Sequence, residues 1–329
     1  MVNQSSQPYI PSLDEIRTKT REKFGRVPCH WQTVVTQKIL QRDKDVVCIS
    51  STGSGKTLTF CRDQNERQLR DVGIRAINVM ADTATSKNFK VSDIEDGTYR
   101  AVVVSPEQVL KPGGGFERLW KNANLMSNVL SIVWDEGHCV GAWGSFRPEY
   151  AEAGCLRHII TGDVPYLIAS ATLPTHVHND VMGTLQVRHE ATHVMHRAND
   201  HSNIYLSVQK IEHPLATFND LAFLIPEGWK PGDLLSKSLV FFDNIEESIR
   251  AAEALRARLP IEHQNKIVWF NSNMTPEFRE ITTSNLKEGT LYGLYCTYSF
   301  GMGVDLPDIK IVIQWRCTCN LDTLWQWFG

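Results

Sequence analysis

The sequence predicts an α/β protein in two units, and three observations carry that prediction. Short apolar runs alternate with polar stretches of helical length; a glycine-rich loop follows the first of those runs; and the alternation restarts near residue 200. A chain of 329 residues has room for roughly two domains, each with its own core. With 42% hydrophobic and 22% charged residues, the composition is that of a folded protein, which excludes a disordered chain.

At the N-terminus, Ser12 and Glu15 form a capping-box pattern for a helix that Gly25 closes, and a second helix follows over residues 30–40. The runs DVVCIS (45–50), RAINVMA (75–81), YRAVVVS (99–105), LSIVWD (130–135) and VPYLIAS (164–170) are apolar on both faces. Such runs suit a parallel sheet covered by helices. The second set comprises NIYLSV (203–208), SLVFFD (238–243), KIVWFN (266–271), LYGLYC (291–296) and IKIVIQW (309–315), with helices over 245–259 and 276–289. PEGWKPGD (226–233) is a surface turn within it.

No run is long and apolar enough to span a membrane, and the polar start MVNQSSQPYIPS lacks a secretory pattern, so the expectation is a protein that is neither secreted nor membrane-bound. Eight scattered cysteines, several inside apolar runs, indicate a reducing compartment, and the CTC at 317–319 lacks the spacing of a zinc knuckle. A net charge of −3 neither supports nor excludes a nucleic-acid partner.

The chemistry begins at residues 50–57, SSTGSGKT. Glycines here let backbone N–H groups converge on phosphate oxygens, so Thr52, Gly53, Ser54, Gly55, Lys56 and Thr57 are the candidate nucleotide-binding residues. Lys56 is suited to the β- and γ-phosphates and Thr57 to magnesium; Ser50 stands where glycine or alanine is usual. At the end of the run LSIVWD, Asp135 is placed to hold magnesium through water and Glu136 to polarise the attacking water.

These motifs resemble a known family. DEGH (135–138) looks like motif II of superfamily 2 helicases and SAT (170–172) like motif III; WGSFRPEY (143–150) resembles the aromatic-rich loop of RecQ-type DNA helicases, one residue short. Phe24, Gly25 and Gln32 are similar to that family's adenine-reading segment, although His30 and Trp31 replace its usual arginine and glycine. SLVFFDN looks like motif IV and CTYSFGMGVD (296–305) like motif V.

The resemblance implies two tandem RecA-like domains with mostly parallel sheets: an N-terminal helical segment over 1–23, an ATP-binding domain over 24–198 and a C-terminal domain over 199–329. ATP and Mg2+ are the implied ligands. Lys56, Asp135, Glu136 and His138 are the implied catalytic set, Gln32 chooses adenine, and Thr57 and Asp135 hold the metal. Ser170, Thr172, Gly301, Gly303 and Asp305 couple nucleotide state to the DNA face, where Trp143, Phe146, Arg147 and Tyr150 meet DNA. The implied partner is single-stranded or tailed duplex DNA, and the implied location is the nucleus if the source is eukaryotic and the cytoplasm otherwise.

Two departures qualify the resemblance. After Thr57 the chain runs through TLTFCRDQNERQLRDVG with no apolar run, so the strand expected to carry motif Ia is missing, with a junction near Phe60 and Cys61. Either the helix continues and the sheet lacks a strand, or the product is shortened and folds poorly. The segment CNLDTLWQWFG runs in step with the approach to motif VI and ends before its arginines, so the second domain is expected to be incomplete.

The expected function is ATP-driven 3′ to 5′ unwinding of DNA in recombination or repair. The alternatives are a nucleotide-dependent DNA-binding protein with little turnover and a DExH-type RNA helicase. A competing signature, His189-Glu190-Ala191-Thr192-His193, is the zinc-peptidase pattern; it requires a helix, and its alternating β-branched flanks argue against one, so no stoichiometric zinc is expected.

Overall fold

A computed structural model of the chain describes residues 9–59, 73–79, 91–143, 147–201, 203–298, 300, 306, 308–316 and 318–328. It divides into two compact units, Met1–Asp200 and His201–Gly329. No helix among the described residues is long and apolar enough to cross a membrane.

The first unit opens with α1 (Leu13–Phe24) and α2 (His30–Gln41). The capping box of α1 is formed: the Glu15 N–H donates to Ser12 Oγ at 3.3 Å and the Ser12 N–H to Glu15 Oε2 at 2.8 Å. Gly25 closes the helix in the left-handed conformation, its N–H donating to the Arg21 carbonyl.

Six strands follow: β1 (Asp45–Ile49), β2 (Ala76–Val79), β3 (Ala101–Val104), β4 (Ile132–Asp135), β5 (Tyr166–Ser170) and β6 (Thr192–His196). The first five occupy the five apolar runs of this half. Central strands β1 and β5 are buried at every position, which is why their sequences do not alternate. Val47, Ile49, Tyr166 and Ile168 pack on one side against Val181, Met182 and Leu185; Val46, Cys48 and Leu167 pack on the other against Trp31, Val35 and Ile39 of α2.

Among the described residues the six strands form two parallel sheets, one in the order β4-β5-β1-β6 and the other of β2 with β3. Among the described residues β3 and β4 do not pair with each other, and both of these strands are only half-buried. The polar segment 60–68, read as unable to form a strand, lies outside the described residues.

The HExxH pattern does not form a helix. Residues His189–Ala191 are a single 3-10 turn, and Thr192–His196 is strand β6, in register with β1 from Asp45↔Thr192 to Ile49↔His196. His189 and His193 thus share no helical face.

The second unit is a parallel sheet in the order β10-β7-β9-β8, from β7 (Ser238–Phe241), β8 (Ile267–Phe270), β9 (Gly293–Cys296) and β10 (Ile311–Gln314). Helix Ile245–Arg256, capped by Asn244 on the Glu247 N–H, lays Ala251, Ala252 and Leu255 on one face. Helix Pro276–Lys287, capped by Thr275, lays Leu286 on the other. The fifth predicted run is a correction: NIYLSV (203–208) is not a strand. Tyr205 and Val208 are 91% and 98% exposed, and the segment pairs with nothing among the described residues. Its β-branched and aromatic residues favour a strand only where another strand is present to receive them.

Candidate active site

The parallel registers bring the motif residues to one edge. Ile49 is level with Ser170 and Asp135 with Ala169, so the ends of β1, β4 and β5 lie side by side at the carboxyl edge of the sheet, where α/β folds bind ligands. The Ser50 N–H donates to the Ser170 carbonyl at 3.1 Å, joining the phosphate loop to the SAT segment.

The loop itself turns through Gly53 and Gly55, with φ of 72° and 78°. Gly55 is favoured by its left-handed backbone, and a Cβ there would stand 2.8 Å from Gln32 Nε2 and press on that side chain. Ser50, the departure from the usual pattern, is accommodated because its buried hydroxyl donates to Ser54 Oγ at 2.9 Å. Lys56 Nζ donates to the Ser50 and Ser51 carbonyls at 2.7 and 3.0 Å, so the ammonium is folded back onto its own loop. Burial holds this amine below its usual range, while the Glu136 carboxylate acts in the opposite sense. The helix expected after the loop is, over its described part, one 3-10 turn at Lys56–Thr59.

Gln32 sits in the first turn of α2 and spends its whole amide on backbone. Its Oε1 accepts from the Cys29 N–H at 2.6 Å, and its Nε2 donates to the Gly55 carbonyl at 2.8 Å and the Ser54 carbonyl at 3.3 Å. The residue read as an adenine selector therefore also clamps the phosphate loop to α2. Trp31 takes part in the core beneath, with the Arg197 guanidinium 5.9 Å from its ring centroid.

On the neighbouring strand ends, His138 Nδ1 lies 3.0 Å from Ser170 Oγ and 3.5 Å from Glu136 Oε2. The Ser170 hydroxyl gives its single hydrogen to the Thr172 carbonyl at 2.7 Å, so the imidazole is the donor at Ser170 and carries its proton on Nδ1. Its Nε2 faces Cys139 Sγ at 3.4 Å, and burial pushes that thiol up to about 12, which keeps it a donor. The imidazole thus hydrogen-bonds Ser170, whose hydroxyl reaches Thr172, and stands within ion-pair distance of the Glu136 carboxylate. Glu136 takes a φ of 52°, and Gly137 beside it has no room for a side chain: a Cβ would stand 2.5 Å from Ile168 Cγ2. Gly137→Ala is expected to lower stability by about 1–3 kcal/mol as the core is forced apart, measurable by denaturant unfolding.

The nucleotide and its metal fit these residues. Thr52 Oγ1 and Glu136 Oε2 are buried without hydrogen-bond partners, the first a hydroxyl inside the phosphate loop and the second an acceptor for water hydrogens. Thr57 and Asp135, the residues the resemblance implies for magnesium, would hold an ion that would supply neutralising charge at the phosphates.

Of the four aromatic-loop residues, Arg147 and Tyr150 are described. Arg147 is exposed, with Nη1 3.6 Å from Glu107 Oε1, while Tyr150 is half-buried against the core beside Val140, and burial raises its phenol. Phe146, Gly301, Gly303 and Asp305 lie outside the described residues, as do the side chains of Thr57 and Trp143. Glu107, just after β3, was not visible as a site residue in the sequence, because only the fold brings it to Arg147. In the second unit, Arg316 pairs with Glu247 at 2.8 Å and approaches Asp243 to 4.0 Å, a group at the carboxyl end of β7 that no sequence motif marks.

Two family models match this chain in order: the DEAD/DEAH box helicase model over residues 62–181 and the helicase conserved C-terminal domain over residues 233–329. Together they match well over half of it. The chain carries a DEAD/DEAH box helicase domain followed by a helicase conserved C-terminal domain. Among curated proteins it is similar, at low identity, to RecQ-family DNA helicases. Over 310 residues it is 24% identical to a probable ATP-dependent DNA helicase RecS of Bacillus subtilis, covering 87% of this chain and 58% of the relative. It is 25% identical over 310 residues to a putative ATP-dependent DNA helicase Q1 of Caenorhabditis elegans, covering 87% and 47%. The helicase chain thus spans about half the length of these curated relatives. Among solved structures, the DUF1998 helicase MrfA bound to DNA superposes with a TM-score of 0.68 at 17% identity, covering 97% of this helicase and 49% of MrfA. Saccharomyces cerevisiae Dbp5 bound to RNA and ADP BeF3 gives 0.62 at 16%, covering 97% and 85%. These likenesses give the fold, tandem RecA-like helicase domains with parallel sheets.

Proposed function

We propose that this chain is a RecQ-like DNA helicase motor that binds ATP at residues 52–57 and couples its hydrolysis to movement on DNA. The observation that carries the reading is the His138 linkage, in which one imidazole joins the carboxylate beside the phosphate loop to Ser170 and Thr172. Such a linkage lets a change at the γ-phosphate be felt along the strand-end segment that follows β5. Glu136 polarises the attacking water, Lys56 leaves its loop carbonyls for the phosphates, and Gln32 selects adenine. Arg147 and the aromatic loop engage the DNA backbone and bases. The similarity to RecS and Q1, both ATP-dependent DNA helicases, supports DNA as the partner. Movement in the 3′ to 5′ direction, a role in recombination or repair, and a nuclear location in a eukaryote belong to the same reading.

The test is ATP turnover with single-stranded DNA, with RNA of the same sequence, and with neither. DNA stimulation well above RNA stimulation is expected; the reverse order would make this an RNA helicase. His138→Ala is expected to reduce the DNA-stimulated rate roughly 10²-fold or more while leaving the unstimulated rate much less affected. Equal loss of both rates would remove the coupling role. A second reading, nucleotide-gated DNA binding with little turnover, is favoured by the Lys56 ammonium being satisfied within its own loop. Under it, ATP alters DNA affinity and no stimulation appears.

A further inference from the structure

The phosphate loop lies between two flanks of different chemistry. On one side, the ends of β4 and β5 carry Asp135, Glu136, His138 and Ser170, groups suited to a metal and a terminal phosphate. On the other side are the end of β6, which is β1's second neighbour in the sheet, and the first turn of α2. His30, Trp31, Gln32 and Arg197 frame that side, with no carboxylate among them. A nucleotide whose γ-phosphate faces Glu136 therefore lays its base over the flank formed by β6 and α2.

Arg197 stands at the root of that flank. Strand β6 runs level with β1 as far as His196 opposite Ile49, and the Arg197 N–H then donates to the Ile49 carbonyl at 2.9 Å. The residue thus leaves the sheet beside Ser50, where the phosphate loop begins. Its side chain is exposed, and the guanidinium lies over the Trp31 ring, 5.9 Å from the centroid. Trp31 is only 6% exposed and is set in the core with Val35, Ile39 and Leu167, so it gives the cation a fixed backing. Arg157 and Arg188 are both held by Asp45, whereas the Arg197 guanidinium has no ion pair or hydrogen bond among the described residues.

Gln32, beside Trp31, is engaged elsewhere. Both hydrogens of its Nε2 go to the Gly55 and Ser54 carbonyls, so while it clamps the loop it has no donor left for a base. Arg197 has an open planar face and open N–H groups. Resting on the ATP site of the proposed function, we propose that Arg197 is a base-holding residue: its guanidinium, backed by Trp31, stacks on the adenine of ATP. A planar cation between two aromatic faces is attracted to both. Stacking reads no base edge, so Arg197 contributes affinity, and the choice of adenine stays with Gln32 once its amide leaves the loop carbonyls.

The test is calorimetric titration of the full chain with ATP and, separately, with inorganic tripolyphosphate, which has the phosphates and no base. Arg197→Ala is expected to weaken ATP binding roughly 3- to 30-fold and to leave tripolyphosphate binding unchanged. Arg197→Lys is expected to recover little, because an ammonium has charge without a planar face. The unfolding midpoint of both variants should match that of the wild-type chain, since the side chain is exposed. Unchanged ATP affinity in Arg197→Ala, an equal loss for tripolyphosphate, or full recovery by lysine would each overturn the proposal while leaving the ATP site standing. A wild-type chain that binds neither ligand would remove the ATP site itself, and the role of Arg197 with it.

Discussion

Lys56→Ala is expected to reduce ATP affinity by roughly 10- to 100-fold, to the point where nucleotide binding is lost at ordinary working concentrations, while the thermal unfolding midpoint changes little. The size follows from the hydrogen bonds of a charged donor to phosphate, about 1.5–3 kcal/mol for groups of this kind. In the nucleotide-free loop the ammonium is not idle: it holds the Ser50 and Ser51 carbonyls. Alanine removes the phosphate ligand and also those two bonds, so a modest loosening of the loop accompanies the loss. The loop remains clamped from the other side by Gln32 on Gly55. Titration with a fluorescent ATP analogue, paired with a melting curve, separates the two effects. An unchanged affinity would remove residues 52–57 as the nucleotide site.

The second large effect concerns stability. Asp45 opens β1 at the edge of the sheet opposite the phosphate loop and is fully buried. Its carboxylate accepts from Arg157 Nη2 at 2.6 Å, the Tyr166 N–H at 2.8 Å and Arg188 Nη2 at 3.2 Å, and the Arg157 guanidinium also lies 3.4 Å over the Tyr166 ring. Asp45→Asn keeps the shape but removes the charge partner of Arg157 and one of the two of Arg188. A loss of about 3 kcal/mol is expected, at the lower end for a broken buried ion pair because Arg188 is partly solvated and also pairs with Asp163. The same residue sets an acid limit. Burial alone would raise its pKa, but Arg157, the Tyr166 N–H and Arg188 outweigh it and hold the carboxyl below the ordinary aspartate range. The folded state therefore binds this proton less readily than the unfolded chain. Its contribution is complete above the ordinary aspartate value near pH 4 and is lost as the pH falls through that value and below. In denaturant unfolding from pH 7 to pH 3, the wild-type chain should lose stability that the Asp45→Asn variant has already lost. Parallel curves for the two would assign the acid sensitivity elsewhere.

The strands legible in the sequence are the uninterrupted apolar runs, of which VVCI and YLIA are buried at every position while those of β3 and β4 are half-buried. Strand β6 escaped notice: THVMH is half-exposed and rich in histidine, and only its register on β1 makes it a strand. The reverse error at 203–208 has the same cause, since pairing is decided by a distant partner that local sequence does not reveal. The candidate site divides in the same way. Residues 52–56, Asp135, Glu136, His138, Ser170 and Thr172 were legible because their motifs are contiguous. The clamp made by Gln32, the approach of Glu107 to Arg147 and the Arg197–Trp31 stack join residues far apart in the chain, so no spacing could announce them.

The alignment of Ile49 with Ser170 and of Asp135 with Ala169 means that the placement of the polar groups is stored in apolar strand pairing. Sliding β5 by a single position would turn Ile168 towards α2, Leu167 towards the opposite helices, and the Ser170 hydroxyl away from His138. Ile168, which carries no reactive atom, thus acts as an index pin for the catalytic edge, and it is the same residue whose methyl group leaves Gly137 no space for a side chain. Under the proposed function, selection for ATP chemistry would act on the shape of β5 as directly as on the carboxylates, and an aliphatic substitution several side chains away from any phosphate would be enough to lose turnover.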